Sequence, residues 1–283
     1  MKYDNQSLDG RVVFIDKGHK YTLLDNPKLK IVSVTTQLKN YHEPFDSERI
    51  SKESSEKVGS PYFGMDPADI REMWSKKANK ASSEGTLLHS YGEDILNGRE
   101  AIMPKLPKAK WVSKAIDDIL NKFNYTLAKT ELLVYSEILQ LAGQSDMILK
   151  KKWLEEDEDY SYAVYDWKFL SKDIEKKSFY NPATRKYKKM FHPFHHLLDC
   201  NWIHYSIQLA IYQTMTGDPG KIKEKVLVVV YDDRYEFVPC YPMRVFWDTN
   251  NTLHAVYETF NGKVYDSRVD KILDKWPSDI TGR

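Results

Sequence analysis

Two runs decide the fold: Ser136-Glu137-Ile138-Leu139-Gln140-Leu141-Ala142-Gly143-Gln144-Ser145-Asp146-Met147-Ile148-Leu149 and Tyr162-Ala163-Val164-Tyr165-Asp166-Trp167-Lys168. Both are rich in apolar, aromatic and β-branched residues, which predicts two strands of one hairpin. Side chains alternate along a strand, so Asp166 and Lys168 share one face and Trp167 takes the other. Asp146 stands on the neighbouring strand. Two carboxylates can hold a hard divalent cation, and a lysine beside them stabilises a water as its ammonium or deprotonates it as its free amine. The plainer alternative is a surface Asp/Lys pair on an amphipathic hairpin. Between the strands, Lys150 to Asp159 is a charge run, read as a solvated tip.

Beyond Lys168 lies a long connection, residues 169–198. It carries seven basic residues (Lys172, Lys176, Lys177, Arg185, Lys186, Lys188, Lys189) against two acidic ones, Asp173 and Glu175. Phe179, Tyr180, Tyr187 and Phe191 interleave with them. Basic and aromatic side chains together suit a single-stranded nucleic-acid backbone with stackable bases; a solvated loop is the alternative. His192, His195 and His196 lack the spacing and cysteines of a zinc site. Asp199 to Thr216 reads as a helix with Tyr205, Gln208 and Tyr212 on one face, ended by Gly217. Gln208, between Ile207 and Leu209, needs polar partners if buried. Lys225 to Tyr231 reads as a central strand paired with Tyr235 to Cys240. Met243 to Thr259 and Ser267 to Trp276 read as closing helices.

Upstream, Val12 to Asp16 and Tyr21 to Leu24 suggest a small hairpin around a turn bearing His19, and Lys30 to Thr35 a third strand. Helices are expected at Ser47 to Val58, at Pro67 to Lys80 and again from Ser82. On the last, Leu87, Leu88, Tyr91 and Ile95 form an apolar stripe, and His89 and Glu93 share a face. Gly85 would let a neighbouring backbone approach the start of this helix. Ala109 to Phe123 reads as an amphipathic helix and Thr130 to Ile138 as a strand leading into the opening hairpin.

The chain has 283 residues, with Lys+Arg 42 against Asp+Glu 41, so net charge names no partner and any nucleic-acid surface must be local. The two cysteines, Cys200 and Cys240, are too few for a disulfide framework or for a zinc or iron–sulfur ligand set. No apolar run approaches about 18 residues, and the start has no signal-peptide pattern, so an intracellular, cytoplasmic setting without a membrane partner is expected.

Four short motifs stand in order: Gly85-Thr86-Leu87-Leu88-His89, Gly143-Gln144-Ser145-Asp146, Asp166-Trp167-Lys168 and Gln208-Leu209-Ala210-Ile211-Tyr212. Over roughly residues 74–231 this set resembles the PD-(D/E)XK nuclease superfamily in its RecB-like exonuclease branch. His19-Lys20-Tyr21 and Ser33-Val34-Thr35 resemble the front part of phage-encoded and mitochondrial genome-maintenance exonucleases. Ser145 stands where the family name has proline, a common change in this branch. The cysteines of the iron–sulfur relatives are missing, so the likeness is to the kind without a cluster.

The resemblance implies an α/β fold. It would be a restriction-endonuclease-like core of a mixed central β-sheet flanked by helices at residues 81–283, with an N-terminal helical and β lobe at 1–80 and a basic insertion at about 169–198. It implies Mg²⁺ or Mn²⁺ held by Asp146, Asp166, the Trp167 carbonyl and His89; an imidazole ligand tilts the preference toward manganese. Lys168 would orient the attacking water and offset charge on the scissile phosphate. Gln208 and Tyr212, with Tyr205 beside them, would brace the site or touch DNA. Glu93 and Glu137 are supporting acids, and Lys172, Arg185, Lys186, Lys188 and Lys189 candidate DNA contacts. The implied activity is that of a metal-dependent deoxyribonuclease, an exonuclease of replication, recombination or repair, in the host cytoplasm if phage-encoded. The alternatives are a structure-specific endonuclease and a non-catalytic DNA-binding protein on a nuclease fold. Intact Asp146, Asp166 and Lys168 argue against the latter.

Overall fold

The computed structural model describes residues 7–15, 18, 20–151, 161–182, 184–216, 221–247, 253–257, 259–260 and 263–264. It opens with a hairpin of β1 (Val12–Ile15) and β2 (Lys20–Leu23), then β3 (Val32–Ser33) and helices α1 (Val34–Leu38), α2 (Ser47–Glu56) and α3 (Pro67–Leu96). Helix α4 (Ala109–Asp117) runs into a π-helical turn, Asp118–Lys122, and strands β4 (Tyr125–Ser136), β5 (Leu141–Lys151) and β6 (Tyr162–Phe169) follow. A small hairpin of β7 (Tyr180–Asn181) and β8 (Lys186–Tyr187) precedes helix α5 (Asn201–Met215). Then come β9 (Ile222–Val230), β10 (Tyr235–Pro239), β11 (Met243–Trp247) and β12 (Leu253–Tyr257), with a last short pair, β13 (Thr259–Phe260) and β14 (Lys263–Val264).

Six strands form one mixed sheet in the order β10-β9-β6-β5, with β3 and β4 both paired to β5. Strand β9 is parallel to β6 and antiparallel to β10, and Val226 to Val230 are all buried, as a strand covered on both faces requires. Alternate residues serve opposite cores. Ile148, Val164, Leu227 and Val229 pack with Ile203, Ile207 and Ile211 of α5. Met147, Leu149, Tyr165, Trp167 and Val228 pack with Leu88, Val112 and Ile116 of α3 and α4. Each such burial contributes about 1.5–3 kcal/mol relative to exposure.

The edges of β5 position the site. Strand β4 pairs along one edge, from Ser136↔Leu141 to Tyr125↔Lys151. The other edge is shared: β3 pairs with Leu141 and Ala142, and β6 with Met147 to Lys150. Among the described residues no strand pairs with Gly143 to Asp146 on this second edge. Strands β3 and β6 flank the opening that results.

Several elements differ from the sequence reading. The third strand is cut to two residues because Ser33 caps α1, its Oγ accepting from the Thr36 N–H at 3.1 Å. Residues 67–96 form one helix rather than two. Asp66 caps it, Pro67 fits its first position, and nothing between Lys80 and Ser82 breaks it before Asn97 and Gly98, the latter at φ 64°. The boundary expected at 80/81 falls inside this helix. Glu137 to Gln140 form the β4–β5 turn, with Gln140 at φ 54°, rather than the start of a strand. Where a helix was expected at Met243 to Thr259, β11 and β12 pair antiparallel, and Met243, Val245 and Leu253 are buried with α5 residues. Helix α5 is apolar nearly all round and needs that second cover. His19, residues 152–159, Gly217 and the expected helix at Ser267 to Trp276 lie outside the described residues. Among the described residues no helix is long and apolar enough to cross a membrane.

Candidate metal centre

The opening on β5 is the floor of a cleft of about 780 Å³. Asp146 of β5, Asp166 and Lys168 of β6, His89 and Glu93 of α3, and Gln208 and Tyr212 of α5 all line it. The N-terminal hairpin adds Phe14 and Tyr21, and the start of α1 adds Ser33 to Thr35. The lobe at the front of the chain is therefore a wall of the site.

Where β6 leaves β5, the Asp146 side chain replaces a strand neighbour: its Oδ2 accepts the Trp167 N–H at 2.7 Å. Trp167 points the other way, into the core beneath α3, where Gly92 leaves room for the indole; a Cβ there would lie 3.4 Å from its Nε1. Asp166 and Lys168 lie on the face opposite Trp167, as the alternation predicts. Lys168 forms an ion pair with Asp166, and its Nζ lies 4.7 Å from the centroid of the Tyr205 ring. Burial works against the Lys168 charge, but Asp166 and Asp146 outweigh it and raise its pKa.

Burial is also the main force on Asp146, raising its pKa well above the carboxylate range, with Asp166 and Glu131 adding to the push and Lys168 opposing it. His89 Nδ1 is 3.6 Å from Asp146 Oδ2. Packing around the imidazole lowers its pKa to about 4, against the pull of Asp166, so the ring is neutral at pH 7 and keeps a lone pair for a ligand. Phe169, edge-on to His89 with centroids 5.1 Å apart, helps fix the ring.

Glu131 is the site residue the sequence reading missed. One carboxylate oxygen each from Glu131 and Asp146 and a ring nitrogen of His89 lie within 4.8 Å of one another. Burial, then Glu93 and Asp166, push the Glu131 carboxyl up to about 8. Its backbone sits at φ 47°, a left-handed conformation uncommon for glutamate. The signal was the turn: with Glu137 to Gln140 as the β4–β5 turn, the register puts Glu131 opposite Asp146. No family model matches this chain, and no curated protein does.

The other expected residues divide. Gln208 is buried, and its Nε2 donates to the Tyr212 hydroxyl at 2.8 Å, so the two act as a unit on α5. Tyr212 in turn fills the space over Gly143, where a Cβ would lie 2.9 Å from Cζ and closer still to Cε1. Glu93 is buried at the cleft and receives Arg99 at 2.9 Å; burial, which outweighs that bond, raises its pKa. Glu137 is elsewhere, in the turn, paired with Arg11 at 2.5 Å. Among the described residues lining the cleft, none comes from the basic insertion. Lys172, Arg185, Lys186 and Lys189 are exposed. Lys188 is half-buried and tied to Asp199 at 2.9 Å and Glu43 at 3.2 Å, a structural pairing rather than a free cation. Gly85 lies inside α3, not at a helix start, with only an ordinary 4.0 Å contact to Phe169.

The donor set fits a hard divalent cation. Asp166 Oδ2 is buried without a hydrogen bond of normal geometry, Asp146 and Glu131 are held against their preference to ionise, and His89 offers a neutral nitrogen.

Proposed function

We propose that this protein is a metal-dependent nuclease that hydrolyses phosphodiester bonds in DNA as an exonuclease. The observation that carries the reading is the half-buried Lys168 ammonium beside Asp166 in a cleft it shares with Asp146, Glu131 and His89. The ordered motif set noted in the sequence supports the same reading. Asp146, Asp166 and His89 would hold Mg²⁺ or Mn²⁺, with the Trp167 carbonyl, and Glu131 joins them as a fourth side chain. A bound divalent cation would supply Lewis acidity and lower the pKa of a water.

The chain's own groups account for the rest. Lys168 donates to a non-bridging phosphate oxygen and to the attacking water, where negative charge grows as the bond to phosphorus forms. Tyr205, under the ammonium, holds it in place. Gln208 and Tyr212, fixed to each other, wall the cleft where a nucleotide would lie. A cation held by Asp146 and Asp166 would weaken their pull on Lys168, and the ammonium could then turn from Asp166 toward the substrate.

The test is degradation of end-labelled linear DNA by the purified protein with Mn²⁺ or Mg²⁺, and its arrest by EDTA. Asp166→Asn should abolish cleavage with the fold intact, because an amide is a poor ligand for a hard cation. Lys168→Met keeps the apolar stem without the charge. It should leave metal and DNA binding in place and lower the rate by on the order of 10²-fold or more. Near-normal turnover in Lys168→Met would sink the mechanism. Wild-type protein that binds DNA and never cuts it would make the fold a binding module, and cleavage of circular DNA would make it an endonuclease.

A further inference from the structure

A second group of side chains of the kinds that ligate metals lies outside the cleft, near the start of α5. His42 follows the 3-10 turn Lys39–Tyr41, Asp199 lies two residues before the start of α5, and His204 is on its first turn. One donor atom from each lies within 4.8 Å of the other two. The imidazoles are stacked, with centroids 4.4 Å apart and planes 21° from parallel. Two imidazolium rings would repel in that arrangement, and burial together with His42 lowers the His204 pKa.

The hydrogen bonds fix much of the protonation. His42 Nδ1 lies 3.1 Å from the Glu43 carbonyl. A carbonyl only accepts, so Nδ1 donates there, which leaves Nε2 as the nitrogen that can face a metal. His204 Nε2 lies 2.8 Å from Asp199 Oδ1. The other Asp199 oxygen is paired with the Lys188 ammonium, and the Asp199 side chain is only 6 % exposed. A buried carboxylate is thus neutralised by a lysine whose own side chain is 36 % exposed and able to swing outward.

We propose that His42, Asp199 and His204 form a second cation site, selective for Zn²⁺ over Mg²⁺, in which Lys188 stands in for the metal. Two imidazole nitrogens and one carboxylate suit zinc, with a fourth position for water. Tetrahedral ligands at a Zn–N distance of about 2.0–2.1 Å are about 3.3 Å apart, so donors now within 4.8 Å need to close by at most about 1.5 Å, with the stacked rings turning so that both lone pairs face the ion. Binding moves the His204 proton from Nε2 to Nδ1 and releases Lys188 from Asp199. The metal would join three segments distant in sequence: the chain after α1, the end of the basic insertion, and the start of the helix that carries Tyr205, Gln208 and Tyr212. The site does not depend on the nuclease reading.

The experiment uses the full chain with Asp146→Asn and Asp166→Asn, which weakens the cleft as a competing site. The metal-free protein is titrated with Co²⁺, followed by its visible absorption, and with Zn²⁺ by calorimetry. One equivalent should bind with Kd on the order of micromolar or tighter. His42→Ala and His204→Ala should each weaken it by about 100-fold, while Lys188→Met, which removes the competing ammonium, should tighten it. Replacing His192, His195 and His196 together by alanine should change nothing. Circular dichroism checks each fold, and if His204→Ala does not fold, His42→Ala decides. Parent binding weaker than about millimolar, binding unchanged in His42→Ala, or binding lost with the His192/His195/His196 set would overturn the site.

Discussion

At the scale of single residues, the cleft is a place where charge is held at a cost. Asp146, Glu131 and Glu93 all have raised pKa values, with burial as the first cause in each. Like charges at short range, partly out of water, oppose folding unless a cation or a proton intervenes. With its pKa raised to about 8, the Glu131 carboxyl is mostly protonated in the fold at pH 7 but ionised when unfolded, and Glu131→Gln keeps the shape without that proton uptake. In EDTA at pH 7 it should therefore be more stable than wild type, by about 1 kcal/mol. With Mn²⁺ present the order should narrow or reverse, because wild type gains more from the ion. Thermal melts of both proteins in EDTA and in Mn²⁺ measure this directly; a Glu131→Gln variant less stable in EDTA would contradict the repulsion argument. At this scale the sequence was legible where local spacing set the geometry. Asp166, Trp167 and Lys168 alternate as a strand must, and Gln208 reaches Tyr212 one helical turn on. Glu131 was not legible because its place depends on a register fixed by a turn four residues long, and a misplaced turn moves every cross-strand partner.

At the scale of elements, the two motif glycines have opposite physical roles. Gly143 leaves room for the Tyr212 ring, which no Cβ could share. Gly85 lies within α3, where the nearest side chain is at ordinary contact distance. Gly143→Ala should cost about 1–3 kcal/mol through overpacking and displace Tyr212 from Gln208. Gly85→Ala should instead stabilise α3 by about 0.5–1 kcal/mol. Urea midpoints at constant slope separate the two, and a destabilised Gly85→Ala would point to a close approach the structure does not contain. The apolar patterns of α4, α5 and β6, the nearly unbroken apolar run of β9 and the start and stop signals around α2 made these elements readable in advance. The single α3 was split because glycine and serine at 82–85 look like a boundary, while burial of Leu88, Tyr91 and Leu96 holds the helix through them. The β11–β12 hairpin was misread because short apolar runs fit either period. What decides it is a tertiary need, the outer face of α5, which no local window contains.

At the scale of the whole molecule, the cleft and the basic insertion are separate surfaces. The insertion is anchored, since Ile174, Met190, Phe194 and Leu197 are buried in the core shared with α5. Its outer part carries Lys172, Arg185 and Lys186 in the open, with Phe179 70 % exposed and Tyr180 and Tyr187 each 45 % exposed, the two tyrosines edge-on at 5.1 Å. Exposed rings beside cations suit stacked bases and a phosphate chain, and each stacked base is worth about 1–3 kcal/mol. Replacing Lys172, Arg185 and Lys186 by alanine should then weaken single-stranded DNA binding. It should also lower the slope of log K against log salt by about 0.7 for each phosphate no longer neutralised, roughly 2 for all three. Lys188 supplies the contrast, because its ammonium is committed to Asp199 and Glu43. Lys188→Ala should shift thermal stability and leave the salt slope nearly unchanged. Fluorescence anisotropy of a labelled oligonucleotide across a salt series, with Asp166→Asn protein to prevent cleavage, gives the affinity and the slope, and a thermal melt gives the stability. An unaltered slope in the triple variant would make the insertion a solvated excursion and leave the cleft to bind DNA alone.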